Sequence, residues 1–237
     1  MNNKYTTICF GKYPQGLSGK VAPIEWVLLE IKGNTALVIS KYAIDFKPYS
    51  SNEYFFKKSW ETSTLRHWLN DEFIKESFDS DEKKRICVTA IEIEPKRQKG
   101  LQIAKKERYN KIFNIASISN SQSDTFRNQI YDKVFLLSKE EALKYFASIN
   151  QRKCSPTEYA ICHLEDAGER HKTNSKPLCR WWLRSMGNTN NSARYIEADG
   201  SIDDDISIDD ILSHRMLYGW CNTNNAVRPA MWILLDT

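Results

Sequence analysis

Long apolar runs are missing from this 237-residue chain: runs such as VLL after Trp26 and WILL near the end fall far short of the ~20 residues a helix needs to cross a bilayer. A membrane helix is therefore not expected. The opening MNNKYTTICFGKYPQG holds neither a continuous apolar core nor a small-residue cleavage site, so no secretory signal is expected. The expected location is the cytoplasm or a phage particle. Glycine is scarce, and its nine copies are spread singly, which excludes a glycine-rich phosphate loop. The six cysteines, Cys9, Cys87, Cys154, Cys162, Cys179 and Cys221, form no CxxC pair. Without a secretory signal they read as reduced thiols. The nearest approach to a metal pattern is Cys154, Cys162, His163, His171 and Cys179. It lacks the tight pairs with which one turn grips an ion, so no metal and no cofactor is assigned. Helix-turn-helix, zinc-finger and aromatic ribonucleoprotein signatures are absent as well.

What is present suits a folded globule: 41% hydrophobic residues, 12% aromatics and 27% charged residues. That length and composition support one domain over residues 1–237. The net charge of +4 is unevenly spread. Residues 96–112 carry seven Lys or Arg and one Glu, and residues 197–210 carry seven acidic side chains and no basic one. The basic run reads as a solvated insertion reaching to about residue 125, with a nucleic-acid arm as the alternative. The acidic DGSIDDD lacks the closing Glu of an EF-hand loop and reads as exposed turn.

Periodicity supplies the elements. PIEWVLLEI and TALVISKYA flank Lys32-Gly33-Asn34, a hairpin pattern. In WETSTLRHWLNDEF, residues Leu65, Trp68, Leu69 and Phe73 recur at helical spacing behind Thr62 and Ser63 as caps. A second helix is expected from a cap at Ser80, followed by the strand ICVTAIEIE. Ser138 with Glu141, and Ser155-Pro156 with Glu158, are capping boxes for two short helices. The last third is β in character: WWLRS, then ARYIEADGSI with a turn at Asp199-Gly200, then AVRPAMWILL, in which Pro229 argues for an edge strand or a bulge. The order predicts an α+β fold, a mostly antiparallel sheet with short flanking helices and the first and last strands in the same sheet.

The blocks FGKYPQ, PIEWVLLE, LVISKYAID, WETSTLRHWLNDEF, DKVFLLSKEEALKYF, TEYA, WWLRS, DGSI and VRPAMWI resemble, in order, a bacterial and prophage family known as domain of unknown function 6273. The basic insertion departs most from its pattern. The ending also resembles the C-type-lectin-like fold shared by sulfatase-modifying factors and by variable proteins of diversity-generating retroelements. That resemblance implies a C-type-lectin-like scaffold.

On such a scaffold Trp181 and Leu183 face one side of a strand, with Trp182 and Arg184 on the other, which makes one indole core. Trp26, Trp60, Trp68, Trp181, Trp182 and Trp232 are expected to be structural. Arg184 and Arg228 sit in apolar strands and are expected to be held by carboxylates or backbone carbonyls. The segments GNTNNSARY and YGWCNTNNAVRP combine Asn, a donor and acceptor tolerant of turns, with aromatic contact area. They nominate Asn188, Asn190, Asn191, Arg194, Tyr218, Trp220, Asn222, Asn224 and Asn225 as ligand-binding, with no catalytic residue. The expected function is a non-catalytic binder of a protein, glycan or other small molecule, encoded by a prophage or diversified by a retroelement. The alternatives are a copper oxidase relative using Cys179 and Cys221, as the sulfatase-modifying resemblance implies, and a structural module of a prophage particle.

Overall fold

The computed structural model describes residues 5–51, 59–92, 129–166, 177–187, 192–202 and 224–235. The basic run at 96–112 and most of the acidic run lie outside them.

Three β-strands open the chain: β1 (Thr7–Pro14), β2 (Val21–Lys32) and β3 (Thr35–Ser40). The hairpin expected at Lys32-Gly33-Asn34 joins β2 to β3, with Gly33 at φ 59°, the left-handed value such a tight turn requires. A short β4 (Asp45–Pro48) follows. The helical run then begins with α1 (Thr64–Trp68), widens into a π-helical turn at Leu69–Phe73 and ends as α2 (Ile74–Ser77). Ser63 caps it, its hydroxyl accepting from the Arg66 N–H. Leu65, Leu69 and Phe73 are buried as their spacing predicts, while Trp68 is half-buried under the Lys47 ammonium. The next helix, α3 (Ser80–Arg85), is capped by Asp79 in a box with Glu82 and not by Ser80. Adjacent Asp and Ser are both capping residues, and the carboxylate takes the position. The strands β5 (Thr89–Glu92) and β6 (Gln129–Asp132) pair with each other.

Ser138 and Glu141 form the expected capping box of α4 (Lys139–Tyr145), and α5 (Ile149–Arg152) follows. In α6 (Glu158–Asp166) the cap is Thr157, whose hydroxyl accepts from the Ala160 N–H, and not Ser155. Pro156 is instead bridged to Ala43, which keeps Ser155 in extended chain. The last strands are β7 (Trp181–Met186), β8 (Ala193–Ile196), β9 (Asn224–Val227) and β10 (Ala230–Leu234).

These strands build two four-stranded sheets, β1-β2-β3-β10 and β4-β9-β7-β8, with β5-β6 apart. All pairs are antiparallel except β7 with β9. The first and last strands share a sheet as expected, at its two edges. The fold is mixed α and β, mostly antiparallel, with short helices.

β10 after Pro229 is an edge strand, as expected, but Pro229 itself lies in neither strand. The run AVRPAMWILL is two strands in two sheets, and Pro229 is the corner between them. β3 passes into β4 beside it, so the same two segments pair before and after the turn, Ile39 opposite Ala230 and Asp45 opposite Val227. The Ser40 N–H donates to the Pro229 carbonyl and the Ile44 N–H to that of Val227 across the corner. A proline costs no ladder bond there, because the chain is leaving one sheet for the other.

Candidate functional site

The tryptophan doublet anchors the second sheet. Both Trp181 and Trp182 are fully buried, which corrects the expectation of a single core indole. β7 is covered on both faces, so alternation along it separates two buried environments instead of core from solvent. Each indole N–H has an acceptor, Trp181 the Arg152 carbonyl at 3.0 Å and Trp182 the Lys47 carbonyl at 2.9 Å. Trp182 packs edge-on against Tyr49 and Tyr195, and Trp181 against Phe146. Trp26 is buried and donates to the Phe10 carbonyl at 2.7 Å, and Trp60 donates to Asp132 at 2.9 Å. Trp232 is half-buried, with Lys32 over its ring.

The two arginines differ. Arg184 has the carboxylate and carbonyl partners expected of it: Glu141 on both terminal nitrogens and the Leu136 carbonyl at 2.8 Å. Glu141 thereby has two roles, since it also accepts from the Ser138 N–H in the capping box. Arg228 has no carboxylate partner among the described residues. Its Nε donates to the Ser40 carbonyl at 2.8 Å, and its guanidinium lies beside the edge-to-face rings of Phe146 and Trp181, 5.0 and 5.1 Å from their centroids. Its Nη1 is buried with no hydrogen-bond partner. A cation in that position is stabilised by the two aromatic faces.

These strands fix where the polar segments leave the body. β7 and β8 pair from Trp181 with Ile196 to Met186 with Ala193, so residues 188–191 join the end of β7 to the start of β8. Gly187 donates to the Ser192 carbonyl at 2.8 Å and closes that stem. Residues 203–223 join β8 to β9. Because Ala226 stands opposite Trp181 in parallel, Asn224 enters β9 beside the start of β7. The two stems thus stand at opposite ends of one strand.

Asn188, Asn190, Asn191, Tyr218, Trp220 and Asn222 lie outside the described residues. Of the other nominated residues, Asn224 is half-buried and opposite Pro48, while Asn225 and Arg194 are buried in the sheet and engaged in interactions of their own. Arg180 and Glu197 close the neighbouring rim with an ion pair at 2.7 Å.

Sequence reasoning missed a second cluster. Cys179 packs against Cys154, its N–H donating to the Cys154 carbonyl at 2.9 Å and its thiol to the same oxygen at 3.4 Å. Both cysteines are buried, both are unpaired thiols, and Arg228 lies close enough to act on both electrostatically. Nothing in the spacing signals this, because the chain between them passes through α6 and residues outside the description. Cys221, the partner of Cys179 in the oxidase alternative, also lies outside it. Among the described residues no three His, Cys, Asp or Glu side chains converge as a metal site, and no helix is long and apolar enough to cross a membrane.

A family model described as "Domain of unknown function (DUF6273)" matches residues 33–235. No curated protein and no solved structure matches the chain.

Proposed function

Because the chain belongs to the domain of unknown function 6273 family, whose description names no activity, we propose its function from the architecture: a non-catalytic binding domain on a C-type-lectin-like scaffold. It presents residues 203–223, at one end of β7, to a protein or glycan ligand, with residues 188–191 at the other end as a separate contact region, and a prophage or a retroelement-diversified locus encodes it.

The observation that carries this reading is the anchoring of both polar segments to one sheet whose centre is a fully buried Trp-Trp strand. A rigid platform lets loops vary in sequence without loss of the fold. Asn224 sits where the longer segment rejoins the sheet, and Arg194 and Asn225 are buried within that sheet. The contacts themselves are assigned to Asn188, Asn190, Asn191, Tyr218, Trp220 and Asn222, residue types that combine adaptable hydrogen bonding with rigid aromatic area.

The test is a glycan array and a displayed random-peptide library probed with the full chain and with Tyr218→Ala/Trp220→Ala. Binding by the parent that drops about tenfold or more in the variant, at unchanged melting temperature, supports the proposal. Equal binding by both proteins, or none by the parent, overturns it.

A further inference from the structure

The buried pair Cys154 and Cys179 sits next to the exposed Leu178 and near the Arg228 guanidinium, which has no carboxylate partner among the described residues. We propose that this pair is a peroxide-oxidisable dithiol, with Cys154 as the attacking sulfur, Cys179 as the resolving thiol and Arg228 as the residue that positions and activates them.

Three features point there. The first is proximity: a backbone hydrogen bond runs directly from Cys179 to Cys154, which places their Cα atoms within the roughly 4.4–6.8 Å that a disulfide spans. The two thiols also interact side chain to side chain, each with a carbonyl for its proton, Ser155 for Cys154 at 3.5 Å and Cys154 for Cys179 at 3.4 Å. The second is charge. A buried guanidinium with no carboxylate partner among the described residues is costly, and Arg228 acts electrostatically on both sulfurs. The Cys179 thiol, the Arg228 cation and the Ala43 N–H hold Cys154 down at about 7, against the effect of its burial, while Cys179 is pushed well above the usual thiol range. Cys154 is thus the sulfur more readily deprotonated and Cys179 the one that keeps its proton, the division a two-step oxidation needs. The third is exclusion. Both residues are more than nine-tenths buried, so a small neutral hydroperoxide enters where a glutathione-sized disulfide does not.

The chemistry balances. The Cys154 thiolate attacks one peroxide oxygen; an S–O bond forms, the O–O bond breaks and hydroxide leaves, taking up a proton to become water. The Cys179 sulfur then attacks the Cys154 sulfenic acid; the S–S bond forms, the S–O bond breaks, and the thiol proton leaves with the oxygen as a second water. Two thiols lose two electrons to one peroxide. The product would tie the chain before α6 to the start of β7, beside the point where Asn224 enters β9. This inference does not depend on what the polar segments bind.

The experiment treats the reduced full-length protein with substoichiometric hydrogen peroxide, followed by non-reducing peptide mapping. A Cys154–Cys179 linked peptide is expected before oxidation of the exposed Cys9. In Cys179→Ser, a sulfenic-acid trap such as dimedone should label Cys154. Arg228→Met, which keeps an apolar stem beside the two rings, should slow oxidation about tenfold or more, and Arg228→Lys should restore most of the rate. A trap that labels other cysteines and spares Cys154, or a wild-type map without the linked peptide, overturns the proposal. Equal rates in Arg228→Met and wild type overturn the role of Arg228. Should Arg228→Met lack native near-UV circular dichroism, the wild-type map and the Cys179→Ser trap decide the question.

Discussion

At the scale of single residues, burial and pairing separate side chains that look alike in the sequence. Arg184 and Arg228 both interrupt apolar segments, yet one is neutralised by Glu141 and the other lies against the rings of Phe146 and Trp181. Glu141→Ala removes the acceptor of the Ser138 cap and strands the Arg184 charge, so a loss of about 2–3 kcal/mol in urea denaturation is expected. Glu141→Gln keeps an acceptor for the cap and should cost about 1 kcal/mol less. Glu30 offers a pH readout. Hydrogen bonds from Tyr145 and Lys144 hold its carboxyl below the usual range, joining β2 to α4. A carboxylate with a depressed folded-state value stabilises above its unfolded value, and that contribution is lost as pH falls through the folded one. Glu30→Gln should therefore be less stable than wild type near neutrality, with the gap closing toward pH ~3. A gap that persists in acid would mean the contact acts through packing and not through charge.

At the scale of elements, what was legible in the sequence was local. Ser138 with Glu141 spans one helical turn, and the β2–β3 turn spans Gly33 and Asn34, so both were read correctly from a few adjacent residues. The caps at Asp79 and Thr157 were missed because the sequence offered two capping residues close together and only tertiary context chose between them. Pro229 pointed to the edge strand β10 but not to the sheet corner before it, because the partner segment that turns beside it lies far away in sequence. Two glycines show the difference between local and tertiary constraint. Gly33 at φ 59° has open space where a Cβ would stand, so Gly33→Ala should cost only the left-handed backbone term, about 1–2 kcal/mol. Gly11, at φ 67° within the irregular β1–β2 register, would place a Cβ 2.4 Å from the Phe78 ring and 2.8 Å from the Ser77 carbonyl. Gly11→Ala should add overpacking of roughly 1–3 kcal/mol to the same backbone term. Thermal unfolding of the two variants side by side checks the ordering, and equal losses would show that the α2–β1 contact relaxes freely.

At the scale of the molecule, the candidate site was half visible: the Asn and aromatic segments stood out by composition, whereas the Cys154, Cys179 and Arg228 cluster is assembled by contacts that no spacing encodes. The same non-locality makes β10 the keystone of the first sheet. It pairs with β3 along one side, and on the other it bridges Ile86 and Phe135, with the Cys87 N–H donating to the Trp232 carbonyl at 2.8 Å. Its Ala230, Met231 and Ile233 are buried. Each large apolar side chain so placed contributes roughly 1.5–3 kcal/mol, and the strand's removal also exposes the faces it covers, against a total stability of about 5–15 kcal/mol for a domain. A chain ended after Pro229 should therefore lose cooperative urea unfolding and bind a hydrophobic dye, although it keeps every residue of the second sheet. By contrast, replacing residues 203–223 with a flexible Gly-Ser segment of the same length leaves both stems in place and should preserve the cooperative transition. If the truncated chain unfolds cooperatively with the wild-type denaturant slope, the two sheets are independent units, and the corner at Pro229 does not couple them.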